Sequence, residues 1–203
     1  MSDFSVKPTL TGDTVLLRPV TEEDASAFAD ILGDPEVVTF TGIPADEPPL
    51  SLDHLRSWYG SRGEQPDRLD LALIDRASGE LVGELVFNEW DEPNRRCNFR
   101  TLVGPRGRGR GLGTEAIRLF LGYGFERLGL NRVSLGVFAF NPRAIRVYEK
   151  VGFVREGVER EALLHEGAWI DSLTMSVLAR EWAVHHGRPQ TVPFGHASGV
   201  DTP

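Results

Sequence analysis

Glycine occupies every second position from 107 to 113, and this run separates a strand pattern from a helix pattern. The stretch reads Val103-Gly-Pro-Arg-Gly-Arg-Gly-Arg-Gly-Leu-Gly-Thr-Glu115. Glycine permits positive φ and lets a ligand approach the backbone closely. The first turn of the following helix offers free N–H groups and the positive end of a dipole. Arg106, Arg108 and Arg110 add full charges. Such a turn suits a phosphorylated ligand, in particular a pyrophosphate.

Three phosphate motifs compete for this stretch. A Walker A loop needs Gly-Lys-Ser/Thr, and the chain has Gly109-Arg110-Gly111 instead. The dinucleotide fingerprint can be laid on Gly111-Leu-Gly-Thr-Glu-Ala116. It should follow the first strand of a parallel sheet, with an acid about 20 residues on. The corresponding position is Gly136, and neither neighbour is acidic. The third motif, Arg/Gln-x-x-Gly-x-Gly/Ala, is matched by Arg108-Gly-Arg-Gly111-Leu-Gly113. On this short match alone, a basic turn without a ligand stays open.

The rest of the chain alternates strands and helices. Thr14–Val20 reads as a first strand, and Thr21-Glu-Glu-Asp24 as an acid-rich helix start. That helix is expected to end near Leu32, where Gly33-Asp34-Pro35 reads as a break. Residues 41–50, with Gly42, Pro44, Pro48 and Pro49, read as loop. A second helix is expected over Leu52–Arg62. Strands follow at Leu69–Ile74, Glu80–Trp90 and Arg95–Val103, the last two joined by a turn at Asp91–Asn94. Beyond the glycine run, Ile117, Phe120, Leu121, Gly124 and Leu128 recur at helical spacing, and Gly129 ends the pattern. Arg132–Phe140 is strand-like. Asn141-Pro142 opens a helix with proline at its preferred first position, and Gly152 closes it. Phe153–Arg160 and Ala168–Leu178 read as two more strands. This order predicts one mixed α/β domain with at least one βαβ crossover over residues 1–182, and a loose tail over 183–203.

Composition narrows the class. With 203 residues, 40% hydrophobic and 26% charged, the chain has the make-up of a globular domain. Its apolar runs are far shorter than the ~20 residues of a membrane span. Met1–Thr9 carries Asp3, Lys7 and Pro8 and no apolar stretch, so no secretory leader is expected. Cys97 is the single cysteine, which excludes an internal disulfide and a cysteine-built metal site. A reducing cytoplasm is the expected setting. The net charge of −8 argues against nucleic acid as a partner. Its distribution is uneven: residues 1–94 hold 20 acids and 6 bases, residues 95–203 hold 10 acids and 16 bases. The basic half suits an anionic ligand and the acidic half a cationic one. Chance and solvated faces explain the split equally well.

The second informative motif is Asn141-Pro-Arg-Ala-Ile-Arg-Val-Tyr-Glu-Lys-Val-Gly-Phe153. Asn141, Ala144 and Tyr148 share one helix face. Together with Arg108–Gly113, about 30 residues upstream, this motif resembles the GNAT acetyltransferase superfamily. The resemblance runs loosely from Thr14 to Leu178. Leu17-Arg18-Pro19, Glu156-Gly157 and Asp171-Ser172 are similar to the branch of ribosomal-protein N-terminal acetyltransferases. Val82-Gly-Glu-Leu85 and Arg96-Cys-Asn-Phe-Arg100 are similar to spermidine acetyltransferases of that branch.

The resemblance implies a mostly antiparallel sheet, flanked by helices, whose central parallel pair splays apart. Those strands would be Cys97–Val103 and Arg132–Phe140. Acetyl-CoA would be the co-substrate. Its pantetheine would pair with Leu102 and Val103 as an added strand does, and its pyrophosphate would lie on Arg108, Gly109, Arg110, Gly111, Leu112, Gly113 and Thr114. Asn141 would cap its helix and offer its amide to the ligand. The acetyl group would pass directly to a primary amine, on a peptide N-terminus or a small molecule, without an acyl-enzyme. Tyr148 would protonate the leaving thiolate. Glu89, near the end of its strand beside Trp90 and Asp91, is favoured over mid-strand Glu84 as the base. A core role for Tyr148 and a solvated Glu89 are the plain alternatives. Cys97 reads as a buried strand residue. No metal is implied, and a homodimer is compatible with the family. A CoA-binding module without turnover is the competing reading of the same motifs.

Overall fold

A computed structural model of the chain describes residues 4–44 and 47–186. Among these, eight strands form one sheet in the order β1-β2-β3-β4-β5-β6-β8-β7. The first five are β1 (Leu10–Thr11), β2 (Val15–Pro19), β3 (Leu69–Asp75), β4 (Leu81–Asp91) and β5 (Arg96–Val103). The rest are β6 (Arg132–Phe138), β7 (Val154–His165) and β8 (Ala168–Leu178). Every neighbouring pair is antiparallel except β5 and β6. The expected mixed α/β architecture with one parallel pair is what the chain adopts.

The parallel pair is very short. It joins Arg96 to Arg132, Cys97 to Val133 and Asn98 to Ser134, and stops there. Beyond Asn98 the last five residues of β5 have no strand partner on that side. The sheet therefore opens into a wedge between Phe99–Val103 and Leu135–Phe138.

Two apolar cores cover the two faces of the sheet. On one, Leu71, Leu85, Phe87 and Phe99 pack under α4 (Leu112–Glu126) and α5 (Pro142–Lys150), with Phe87 stacked on Phe120 at 4.0 Å. On the other, Ala72 and Ile74 pack under α1 (Ala25–Leu32) and α3 (Leu52–Gly60), where Phe28 stacks on Tyr59 at 4.0 Å. The helix α6 (Ala179–His185) follows β8 and buries Trp182 in the first core.

Several expected boundaries move. Asp34-Pro35 does not simply break the chain. Asp34 accepts a hydrogen bond from the Val37 N–H at 3.1 Å, Pro35 takes the first helical position, and α2 (Pro35–Thr41) results. Gly42, with φ of +71°, ends it. The β6 strand stops at Phe138 and β7 runs on to His165. Residues 183–185 of the expected tail belong to α6, and the tail from 187 onward lies outside the described residues.

Candidate active site

A cavity of about 900 Å³ occupies the wedge and reaches both faces of the sheet. Its phosphate-sized end is built by the glycine run. Gly109 and Gly111 have φ of +72° and +82°, so the turn needs glycine there. Gly111 is the N-cap of α4 and offers no side chain to the first turn, whose amides at Leu112, Gly113 and Thr114 have no intrahelical acceptor. Gly107, Arg108, Gly109, Gly111, Gly113 and Thr114 line the cavity beside Leu102 and Val103. Leu112 buries its side chain in the core.

The loop arginines do not stand free over this end. Arg108 donates to Asp34 at 2.6 Å, to Glu36 at 2.8 Å and to the Val103 carbonyl at 3.0 Å. Arg110 pairs with Asp75 at 2.8 Å and does not line the cavity, and Arg106 pairs with Glu80 at 2.7 Å. Backbone amides, rather than a fan of guanidinium groups, are what this turn presents. Asn141 lines the cavity and caps α5, its side-chain oxygen accepting from the Ala144 N–H at 3.1 Å. The Asn141 amide nitrogen has no hydrogen-bond partner among the described residues.

Tyr148 reaches the cavity from the α4–α5 face. Its ring packs edge-on against Phe99 and Phe153, and its hydroxyl makes no hydrogen bond among the described residues. Burial pushes its pKa up, so the hydroxyl holds its proton.

Glu84 reaches the same cavity from the other face. It lies opposite Ala72 and Leu102, whose side chains belong to the α1–α3 side. Burial, and next the Asp70 carboxylate, raise its pKa to about 7, against the opposing pull of Arg100 and Arg68. Asp70 itself is buried and held by Arg68 through bonds of 2.6 and 2.7 Å.

Glu89 is placed elsewhere. The ladder between β4 and β5 shifts register between Asn88 and Asp91, and Glu89 sits in that bulge with φ of +54°, exposed and outside the cavity lining. Counting alternation along an unbroken strand misses such a bulge. Asp91, beside it, is engaged by Asn94 and Arg96. Cys97 is buried, and its thiol pKa is pushed up by desolvation. Among the described residues, no group of three or more His, Cys, Asp or Glu could hold a metal ion.

Other lining residues had no readable signal in the sequence. Glu36 and Phe40 come from α2, which lies between the expected break at 33–35 and the expected loop at 41–50. Phe138, Glu159 and Ser172 come from β6, β7 and β8. Arg143 lay within the second motif and was not singled out there.

The geometry has close counterparts. An acetyltransferase (GNAT) domain model matches residues 14–154. The probable N-acetyltransferase YjcK of Bacillus subtilis is 40% identical over 175 residues, covering 83% of this chain and 96% of that protein. The spermidine N(1)-acetyltransferase of Escherichia coli is 26% identical over 176 residues, covering 87% of this chain and 92% of that protein. A crystal structure of spermidine N-acetyltransferase from Vibrio cholerae, in complex with CoA and spermine, superposes with a TM-score of 0.75 at 24% identity. It covers 84% of this chain and 99% of that one.

Proposed function

The chain belongs to the GNAT family and is an acetyl-CoA-dependent N-acetyltransferase; on that premise we propose that it passes the acetyl group directly to a primary amine, with Glu84 as base and Tyr148 as acid. The observation that carries this reading is that Glu84 and Tyr148 line one cavity from opposite faces of the sheet.

The turn from Arg108 to Thr114 holds the pyrophosphate of acetyl-CoA. Free amides at the start of α4 meet the anion, and the positive φ of Gly109 and Gly111 brings the backbone to it. Arg108 braces the turn through Asp34, Glu36 and the Val103 carbonyl. Arg110 acts through its backbone alone, since its side chain is turned to Asp75. Leu102 and Val103 offer strand-edge groups to the pantetheine, and the Asn141 amide adds a donor beside it.

An alkyl amine is mostly protonated at neutral pH and must lose a proton before it attacks. Glu84, with its raised pKa, accepts that proton directly or through one water. The attack forms the new C–N bond and sends the carbonyl electrons to oxygen, where a backbone N–H of the open edge of β5 is the donor. When the C–S bond breaks, Tyr148 gives its proton to the thiolate sulfur, and the surplus proton on the new amide nitrogen leaves through water and restores the Tyr148 hydroxyl. No nucleophilic side chain is needed, and Cys97 takes no part.

The acceptor is a cationic amine. Glu36, Glu84 and Glu159 all line the cavity, and the first 94 residues carry most of the acidic excess. Polyamines come first on the panel because relatives of this chain are named for spermidine. Peptides with free N-termini come next.

The test is a panel of polyamines, N-terminal peptides and small amines incubated with acetyl-CoA, with release of free thiol as readout. Turnover on a cationic primary amine is expected. Mass spectrometry of the protein after acetyl-CoA without acceptor should show no acetyl adduct. A stoichiometric adduct that an amine discharges would overturn direct transfer.

A further inference from the structure

Phe40, Phe138 and Phe140 form an aromatic wall that belongs to neither core. Phe140 is its hub: Phe40 stacks on it at 5.5 Å, Phe138 at 5.8 Å and the His165 ring at 5.3 Å. Phe40 and Phe138 line the cavity together with Ile43, and all three are only partly covered. A Cβ on Gly42 would stand 2.9 Å from the Phe138 ring, so the end of α2 and the end of β6 are in tight contact. The wall stands on the face of the sheet that carries Glu84, because Val37, one turn before Phe40 in α2, is buried in the α1–α3 core.

The charges around this wall leave little room for a second cation. Of the carboxylates that line the cavity, Glu36 spends both oxygens on Arg108 and Arg143, and Glu84 is the proposed base. Glu159 remains, exposed on β7. Against it stands Arg100, which also lines the cavity. Arg100 lies opposite Val86, and Leu102 opposite Glu84, so Arg100 and Glu84 share one face of the sheet. Its guanidinium makes no ion pair or hydrogen bond among the described residues. A second ammonium on the acceptor would be repelled by it. An apolar group, by contrast, would meet rings with free surface.

We infer that the acceptor is a monoamine on an apolar, ring-bearing body: the amine meets Glu84, the body lies against Phe40 and Phe138, and Arg100 turns away a second cation. This rests on the reading that the amine enters on the Glu84 face. Relatives named for spermidine put polyamines first on the panel, whereas the lining of this chain's own cavity ranks them below an aromatic amine. A ring laid on the wall gains the area it buries and the offset or edge-on pairing that aromatic rings favour. An arylalkylamine and a peptide whose first residue is aromatic share this chemistry. Phe40, Phe138 and Arg100 are thus specificity-determining residues, distinct from the pair that moves protons.

The test is steady-state thiol release with phenethylamine, a tripeptide opening on phenylalanine, ethylamine and spermidine. In wild type, kcat/KM for the better of the two aromatic amines should exceed that for ethylamine and for spermidine by about tenfold or more, the scale on which an apolar pocket discriminates. Which aromatic amine leads tells a small molecule from a chain terminus. Phe40→Ala should cut kcat/KM for that amine by about tenfold, with ethylamine turnover and calorimetric CoA affinity within about twofold of wild type. Arg100→Gln should raise kcat/KM for spermidine several-fold and leave phenethylamine unchanged. Spermidine or ethylamine preferred by wild type would overturn the inference. So would a Phe40→Ala variant that loses CoA affinity and keeps the aromatic preference, or spermidine turnover that Arg100→Gln does not move. Glu84→Gln keeps this apart from the mechanism. Full turnover in that variant with the aromatic preference intact would sink the base and leave the acceptor class. Lost turnover there, with wild type preferring spermidine, would sink the acceptor class alone.

Discussion

A β-carbon on Gly83 would stand 2.1 Å from the carbonyl oxygen of Leu102. No side chain fits there, so β4 and β5 can approach closely at this point. Gly83 pairs with Val103 and, one residue on, Glu84 pairs with Leu102. The close approach therefore sets where the proposed base stands relative to the open edge of β5. Gly83→Ala should cost about 1–3 kcal/mol, the usual range for overpacking, and should lower turnover as Glu84 shifts. Urea denaturation checks the first part. An alanine variant as stable and active as wild type would show that the strands part freely there.

Glu84→Gln should lower kcat by about 10²- to 10⁴-fold with little change in CoA affinity, the typical worth of a general base. Glu89→Gln should stay near wild type, since the bulge holds Glu89 outside the cavity. The opposite ranking in a steady-state assay would return the base to Glu89.

The pH behaviour follows from the raised pKa of Glu84, about 7 against an ordinary 4.5. A base works deprotonated, so kcat/KM should fall as pH drops through about 7. Stability has the opposite sign. The fold holds the Glu84 proton more tightly than the unfolded chain, so this group costs stability as pH rises from its ordinary value through the raised one. Glu84→Gln removes that cost. Its gain in Tm over wild type should be larger at about pH 8 than at about pH 5, and equal gains at both would contradict the assignment.

Tyr148→Phe should keep CoA binding and reduce turnover by about 10²-fold or more. The ring contacts with Phe99 and Phe153 survive the change, and only the cavity-facing hydroxyl is lost. Near wild-type turnover would leave Tyr148 a purely packing residue.

Cys97→Ala should retain activity, and the wild-type thiol should resist alkylation in the folded state. Burial keeps the thiol protonated and covered. Rapid labelling of native protein, with loss of turnover, would bring Cys97 back into the chemistry.

The parts of the site that could be read from the sequence are those built by one continuous segment. The turn at 107–113 and the helix after Asn141 carry their own geometry in glycine, proline and capping residues, and both stand where their order along the chain puts them. What could not be read depends on partners distant in sequence. The fate of Arg110 is decided by Asp75, that of Arg108 by Asp34 and Glu36. Glu89 sits near the strand end, but in a bulge that takes it out of the ladder and away from the cavity, and no residue type around it marks that bulge. Asp34-Pro35 is ambiguous locally, because the same pair stops one helix and starts another. The long β7 is mostly exposed, so no apolar alternation announces its end.

The three-rung junction between β5 and β6 divides the sheet into blocks of five and three strands that share little backbone bonding. Hydrophobic packing by α4 and α5 must carry the cohesion that a full ladder would otherwise give. Such a seam is where sub-global opening should begin when no substrate is present. A ligand strand laid along Phe99–Val103, as proposed for the pantetheine, would knit the two blocks, so loading the enzyme should turn a molecule that loosens in stages into one that melts as a single unit.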